Sequence, residues 1–490
     1  MANFDILVIG GGINGTGIAR DAAGRGYDVV LCEQDDLAQA TSSASSKLIH
    51  GGLRYLEQYQ FRLVREALRE REVLLRAAPH IVEPLRFVLP HGDGQRPGWL
   101  IRLGLALYDH LGARKVLPAS EKLVLPGSPQ GQPLKASVKN GFAYSDCRVD
   151  DSRLVVLNAL DAASRGAQIR CRTTVTGLRW DDGAWQATVR AKGSNREETV
   201  SARTVVNAAG PWVGKAVDGA VSKNIRLVRG SHITVPKLYD GDHAYILQNS
   251  DRRIVFVIPY LADQSLIGTT DMDHGGDPGD VQCSDEEVAY MCDAVNRWFD
   301  PGIRSTDVTW RYAGVRPLLD DGAGSAAAVT RDYRLDLDTV GGHGGLLTVV
   351  GGKITTYRKL AEQAVDRMQP LLGDDRPAWT ADAVLPGGDL PESDFPAFLS
   401  QMRRRYNWLP ETTVTRLARA YGSRIELVLG DATGQTGLGE AFGADLFEAE
   451  LDYLKQQEWA ACADDVLWRR SKLGLQLSGA EAERVQRWFD

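Results

Sequence analysis

Residues 5–33 read DILVIGGGINGTGIARDAAGRGYDVVLCE, and no other stretch constrains the fold as tightly. An apolar run over 5–9 predicts a buried strand, a glycine-rich turn and a helix follow, and a second strand ends at Glu33. Gly10 serves the tight turn, Gly12 lets backbone approach a pyrophosphate, and Gly15 lets the helix pack on the strand. An anion then falls at the helix N-terminus, where unpaired N–H groups and the positive end of the dipole converge. Glu33, 18 residues past Gly15, is placed to accept from ribose hydroxyls. Strand, turn, helix and acid together predict a dinucleotide-binding βαβ unit. No second fingerprint in strand-turn-helix context follows, so there is room for one dinucleotide.

A second signal comes at once. TSSASSKLIHGGLRY, residues 41–55, concentrates hydroxyls, Lys47, His50, the Gly51-Gly52 pair and Arg54 in one loop. Small, polar and cationic residues at that density suit a ligand surface better than a core.

At 490 residues the chain exceeds one core, and two or three domains are expected. Its 43% hydrophobic and 25% charged residues are those of a soluble globular protein. A net charge of −7 argues against general nucleic-acid binding, which needs a basic face to release counterions. Cys32, Cys147, Cys171, Cys283, Cys292 and Cys462 are scattered, without CxxC or nearby histidines at ligand spacing, so reduced thiols in a cytoplasmic protein are expected and no metal site. Met1 runs into the first strand within a few residues, and an export signal is not expected.

No apolar run reaches the roughly 18 to 20 residues of a membrane span. WLIRLGLALYDHLG, residues 99–112, comes nearest and reads as a buried or half-buried helix. Arg96, Arg102, Arg114 and Lys115 flank and punctuate it, with Trp99 and Tyr108 near its ends, which also describes a helix lying on a membrane surface.

Along the chain, 61–78 is a charged amphipathic helix with Leu63, Ala67, Leu74 and Leu75 on its apolar stripe. Residues 83–141, rich in Pro and Gly, read as an inserted cap. SRLVVLNALDAASRGAQI is a helix, TTVTGLRWDDGAWQATVRA a hairpin, and ETVSARTVVNAAGPWV a strand running into small residues that let a ligand approach the backbone. Alternation over 227–312 predicts an antiparallel sheet, the wall for a substrate. GLLTVVGGKITTYRKLAEQAVDRM repeats the strand, double glycine and helix of the N-terminus. Beyond 389 the chain is helical, with EAELDYLKQQEWAACADDVLWRRS among its clearest helices and no chemistry legible in it.

GGGING, TSSASSKLIHGGLRY, NAAGPWV, RGSHITVP, IGTTD, GVRPL, TRDY, GGKITTYRKLAE and ADDVLWRRSK, in this order, make the chain resemble the FAD-dependent glycerol-3-phosphate dehydrogenases of the D-amino-acid-oxidase-like flavoprotein superfamily, and among them the bacterial aerobic, respiratory ones. The similarity runs end to end. It implies FAD, oxidation of sn-glycerol 3-phosphate to dihydroxyacetone phosphate, and electron delivery to a membrane quinone, either ubiquinone or menaquinone. It further implies a homodimer attached peripherally to the inner face of the cytoplasmic membrane. The fold class expected is α/β plus α+β: a Rossmann-type FAD-binding domain with an interleaved antiparallel-sheet cap domain, together 1–388, and a C-terminal helical domain over 389–490. FAD-binding segments fall at about 1–78, 145–225 and 310–375, and cap segments at about 79–144 and 226–309.

Residue by residue, the resemblance implies FAD contacts from Gly10, Gly12, Asn14, Gly15 and Glu33. It implies others from Thr41, Ser42, Ser43, Ser46, Lys47, His50, Gly51, Gly52 and Leu53, from Ala209, Gly210 and Trp212, and from Gly351, Gly352, Lys353, Ile354 and Thr355. The double glycine and Lys353 would open a helix whose N–H groups, dipole and ammonium face the electron-rich edge of a reduced flavin. A phosphate dianion needs convergent cations, and arginine meets it with a planar fork. Arg54, Arg316 and Arg331 sit beside glycines, prolines or strand ends, and the matching arginines of the family line the substrate pocket. Tyr55, Thr270 and Lys353 complete the implied substrate contacts. Hydride departure from C2 to flavin N5 also needs a base for the hydroxyl proton. His232 is one candidate and His50 the other, because neutral imidazole accepts a proton near pH 7; Arg316 can instead stabilise a developing alkoxide. Three further readings stay open: an oxidase that passes electrons to oxygen and releases hydrogen peroxide, an enzyme of the superfamily acting on an amino acid or 2-hydroxy acid, and a flavin-containing binding or scaffold protein.

Overall fold

The computed structural model describes residues 3–490 except 58, 93–94, 113–114, 217–224, 250, 252, 321–328 and 341–343, so Arg114 lies outside the described residues. The first strand, Phe4–Ile9, is buried through Ile6, Leu7 and Val8 because it runs in the middle of a sheet covered on both faces. It lies parallel to Val29–Cys32 on one side and Glu197–Asn207 on the other. The sheet continues to Gln168–Arg170 at one edge and through Gly344–Gly351 to the antiparallel Tyr333–Val340 at the other. Alternation decides what covers each face. Ile6 and Val8 pack with the helices Ile13–Gly24 and Tyr357–Leu372, whereas Leu7 and Ile9 pack with the hairpin Thr173–Asp181 and Ala184–Ala191. Each such aliphatic side chain contributes about 1.5–3 kcal/mol by its burial.

Among the described residues ten strands form the second sheet. Its core follows the alternation expected over 227–312: Ile225–Pro236 lies antiparallel between Gln264–Gly268 and Trp310–Leu319. Two features differ from expectation. Val82–His91 and Ala244–Gln248 pair in parallel, so the sheet is mixed. Residues 145–149 and 310–319, expected in the FAD-binding segments, are strands of this sheet instead, because each finds a full-length antiparallel partner there, Val82–His91 and Ile225–Pro236 respectively.

The helix Gly98–Leu111 buries Leu105 and Tyr108, while Trp99, Leu103 and Leu107, four residues apart, are 69%, 59% and 41% exposed. No helix among the described residues is long and apolar enough to cross a membrane.

Beyond 389, the helices Phe395–Arg405, Glu411–Tyr421, Glu448–Gln457 and Gly479–Phe489 close around Tyr421, Phe442, Leu454 and Val466. The long helix expected from Glu448 to Ser471 is broken. It stops at Gln457, Trp459 takes φ +58, and the chain resumes as a π-helical turn, Asp465–Arg470. Helix propensity yields here to buried ion pairs across the domain boundary: Arg153 holds Glu458, and Asp36 holds Arg469 and Arg470.

Candidate active site

Residues of both sheets meet around a cavity of about 610 Å³. The glycine turn forms its floor for steric reasons. Gly10 has φ +109, and a Cβ there would stand 2.6 Å from the Ala208 carbonyl oxygen. A Cβ on Gly15 would meet the Gly10 carbonyl oxygen at 1.9 Å, so Gly15 packs helix on strand and does not reach the cavity. Glu33, one residue past its strand, lies on the cavity wall, its Oε2 accepting from the Gly11 N–H (2.6 Å) and its Oε1 from the Asp35 N–H (2.9 Å). Burial raises its carboxyl above the usual range, against those two donors. Asn14 ties the two glycine loops together by donating to the Gly351 carbonyl (3.2 Å).

Thr41, Ser42, Ser46 and His50 line the cavity, as do Ala209, Gly210, Trp212 and residues 351–355. Ser43, Lys47, Gly51, Gly52 and Leu53 of that loop stand away from its wall. The Lys47 ammonium is buried against Asp151 (2.8 Å) and the Ser43 carbonyl (3.0 Å), an ion pair that fixes the loop from behind. Gly51 packs on Leu68 and donates its N–H to the Tyr108 hydroxyl, while Gly52 turns the chain at φ +77 into the 3₁₀ turn Leu53–Leu56. Nor does Lys353 open the α-helix. It precedes a 3₁₀ turn, Ile354–Thr356, and the helix starts at Tyr357. The Lys353 ammonium is buried, makes no hydrogen bond within the described residues, and stands 3.7 Å from the Tyr55 ring centroid. A buried, unsatisfied ammonium on this wall, together with the glycine cradle, fits a bound anionic dinucleotide.

Cations gather at one end. Arg54, Arg316, Arg331 and Tyr55 line the wall, and Asp271 Oδ1 accepts from both Arg316 (2.8 Å) and Arg331 (2.9 Å). Strand geometry aims Arg316. It stands opposite Val228, and the next pair on that face is Gly230 with Gly314; a Cβ on Gly230 would lie 2.4 Å from the Arg316 Nη2. Although burial raises the Tyr55 phenol, the charges of Lys353, Arg331 and Arg316 outweigh it and lower the pKa. Thr270 is not part of this wall. Its hydroxyl is spent on Glu287 (2.7 Å) and the Ser231 N–H, and its neighbours Thr269 and Asp271 face the cavity in its place. The resemblance implied Thr270 through the IGTTD motif; the strand ends at Gly268, and beyond it the chain turns Thr270 inward and its two neighbours outward. Asp271, Thr269 and Gly230 were within quoted motifs yet were missed.

His232 lies behind the wall, fully buried, stacked on Tyr312 (4.8 Å between centroids) with Nε2 2.9 Å from the Ser46 hydroxyl. Burial and then the Arg316 charge hold its pKa well below the usual value. His50, on the wall, is pulled down to about 3 by burial and Lys353. Both imidazoles are therefore neutral, and the same burial and nearby cations weaken each as a base.

A third, His80, lies outside the site at the joint with the C-terminal domain, pulled down to about 3 by burial, Arg153 and Arg419. Its linkage makes a test. Below about 6.5 the unfolded chain takes up a proton that the folded chain refuses, so stability is full above 6.5 and is lost as pH falls toward 3. Carboxyls raised by burial, such as Asp21 at about 6, act in the opposite direction, so the difference between variants is the clean reading. The stability advantage of the wild type over His80→Gln shrinks by about 1.4 kcal/mol between pH 7.5 and 5.5 in urea titrations. A gap independent of pH would mean that His80 titrates normally.

The chain matches the FAD dependent oxidoreductase family over residues 5–358 and the C-terminal domain of alpha-glycerophosphate oxidase over 378–488. It is 54% identical to a glycerol-3-phosphate dehydrogenase of Pseudomonas aeruginosa, over 99% of this chain and 95% of the relative. It is 52% identical to the D-erythritol 1-phosphate dehydrogenase of Brucella abortus, over 99% of this chain and 97% of the relative. The crystal structure of the glycerol-3-phosphate dehydrogenase from Bacillus halodurans complexed with FAD superposes with a TM-score of 0.75 at 28% identity, covering 99% of this chain and 93% of that one. With its glycine cradle, two sheets and helical tail, the chain belongs to the FAD dependent oxidoreductases, in the branch that carries the C-terminal domain of alpha-glycerophosphate oxidase.

Proposed function

We propose that the chain oxidises sn-glycerol 3-phosphate to dihydroxyacetone phosphate and passes the electrons to a membrane quinone. The observation that carries this reading is the cationic end of the cavity, where Arg54, Arg316, Arg331 and Lys353 line one wall. With Asp271 offsetting one of these four cations, a carboxylate substrate would leave most of the remaining charge unmatched, whereas a phosphate dianion matches the larger part of it. Bound FAD supplies the hydride acceptor. The chain's own residues hold the phosphate, which fixes C2, and take the hydroxyl proton. His50 faces the cavity directly, and His232 reaches it through the Ser46 hydroxyl. Arg316 offsets negative charge developing on the C2 oxygen.

The Brucella relative favours a second reading, a four-carbon polyol phosphate, which the same cations would hold. Anaerobic titration separates the two. Glycerol 3-phosphate bleaches the yellow absorbance with kcat/KM at least about tenfold above D-erythritol 1-phosphate; the reverse order assigns the chain to the tetritol phosphate, and no bleaching by either sinks both. Mixing the reduced enzyme with a soluble quinone or with air then distinguishes a dehydrogenase from an oxidase.

The helix Gly98–Leu111 supports the membrane part of the reading. Trp99, Leu103 and Leu107 stand exposed on one stripe, with Arg96 and Arg102 beside them and Val116 and Val124 exposed nearby in sequence. Flotation with anionic phospholipid vesicles, lost on Trp99→Ser with Leu103→Ser, is the expected behaviour; protein that stays in the dense fraction before substitution refutes this part.

A further inference from the structure

The C-terminal domain carries no residue on the cavity wall among the described residues, yet it grips the back of one segment of that wall. Residues 34–40 run from the second strand toward the serine-rich loop. Gln34, Asp35, Ala38 and Gln39 face the cavity beside Glu33, while Asp36 points away and is 1% exposed. Its carboxylate meets Arg470 in a two-pronged pair, Nη1 to Oδ2 at 2.7 Å and Nη2 to Oδ1 at 2.8 Å, and also accepts from Arg469 Nε at 2.5 Å. Both cations come from the π-helical turn Asp465–Arg470.

That turn is itself braced. Arg470 donates to the Glu458 carbonyl (2.6 Å), and Asp465 binds Arg469 and Arg172, each at 2.5 Å. Arg172 in turn donates its backbone N–H to the Asp35 carbonyl (2.7 Å), so both ends of the connection close on the same loop. Buried, bidentate pairing of this kind orients groups more than it adds net stability. Nothing in the catalytic chemistry requires a charge at Asp36, and no other partner of its carboxylate is within hydrogen-bond distance among the described residues.

We propose that Arg470 is a positioning residue for the cofactor: through Asp36 it holds residues 34–40 in the shape that retains FAD, so the C-terminal domain forms part of the FAD site without touching it. This rests on the family's FAD and is independent of which polyol phosphate is oxidised. Removing one partner alone would strand a buried charge and unfold the joint. The test therefore uses the double variant Asp36→Asn with Arg470→Met, purified with FAD. Its control is Arg416→Met with Glu450→Gln, a half-buried pair inside the C-terminal domain with no hydrogen bond to that loop among the described residues. FAD affinity is read from the fluorescence of released flavin, and substrate KM is measured at saturating FAD.

The double variant loses FAD affinity by tenfold or more with its KM for glycerol 3-phosphate within about twofold of wild type, and the control keeps FAD affinity within about threefold. Arg470→Lys, which keeps the charge and one prong, falls between. Two results overturn the proposal: a double variant that holds FAD as tightly as wild type, or a control that weakens FAD as much, which would reduce the clamp to general stability.

Discussion

Arg316→Ala lowers kcat/KM for the polyol phosphate by roughly 30- to 1,000-fold, about 2–4 kcal/mol, mainly through KM. Arg316 is aimed by its strand, shares Asp271 with Arg331, and passes its guanidinium over a glycine that leaves room for nothing else. Truncation removes a two-pronged, charge-assisted donor from a partly buried site. It also frees Asp271 from one of its two cations, so a carboxylate now competes with the phosphate for Arg331 alone. Both effects act against the dianion. Arg316→Lys, with the charge but without the fork, recovers part of the loss. Steady-state rates at saturating FAD decide the matter: a change below about tenfold, or 1.4 kcal/mol, removes Arg316 from the phosphate site.

How far such a site is legible in the sequence depends on the kind of signal. Gly10, Gly15 and Glu33 are fixed by local sterics and spacing, and the structure places all three where a βαβ unit needs them. Arg316 stood out by its glycine and proline neighbours and His232 by its imidazole, and the strand register puts them on one face. A family motif locates a pocket more surely than the residue that enters it: IGTTD implied Thr270, whose hydroxyl faces Glu287, and the chain past Gly268 presents Thr269 and Asp271 instead. Lys47 looked like a ligand residue by composition, and nothing local reveals that Asp151, 104 residues away, claims its charge. The C-terminal break was illegible for the same reason. Residues 448–471 carry helical periodicity throughout, and the interruption comes from Arg153 and Asp36, which only the fold brings near.

Gly15→Ala removes the flavin altogether and leaves a destabilised protein that purifies colourless. An added methyl would meet the Gly10 carbonyl oxygen at 1.9 Å, then Val8 at 3.4 Å, and the first of these is backbone. No side-chain rotation relieves that contact, so the helix Ile13–Gly24 must move off the strand Phe4–Ile9 by more than an ångström. The movement opens the seam where Val8 and Ile18 are wholly buried and drags the helix N-terminus away from the anion it would hold. Gly12→Ala makes the contrast. There the methyl meets only the Ser42 hydroxyl, at 3.1 Å, on the cavity side. The fold survives, with a thermal midpoint near that of the wild-type apoprotein, while FAD binds more weakly. The ratio of flavin to protein absorbance and the unfolding midpoint, measured side by side on the two variants, separate packing from cradle. A yellow Gly15→Ala protein with an unchanged midpoint would show that helix and strand are not seated as closely as their carbonyl contact requires.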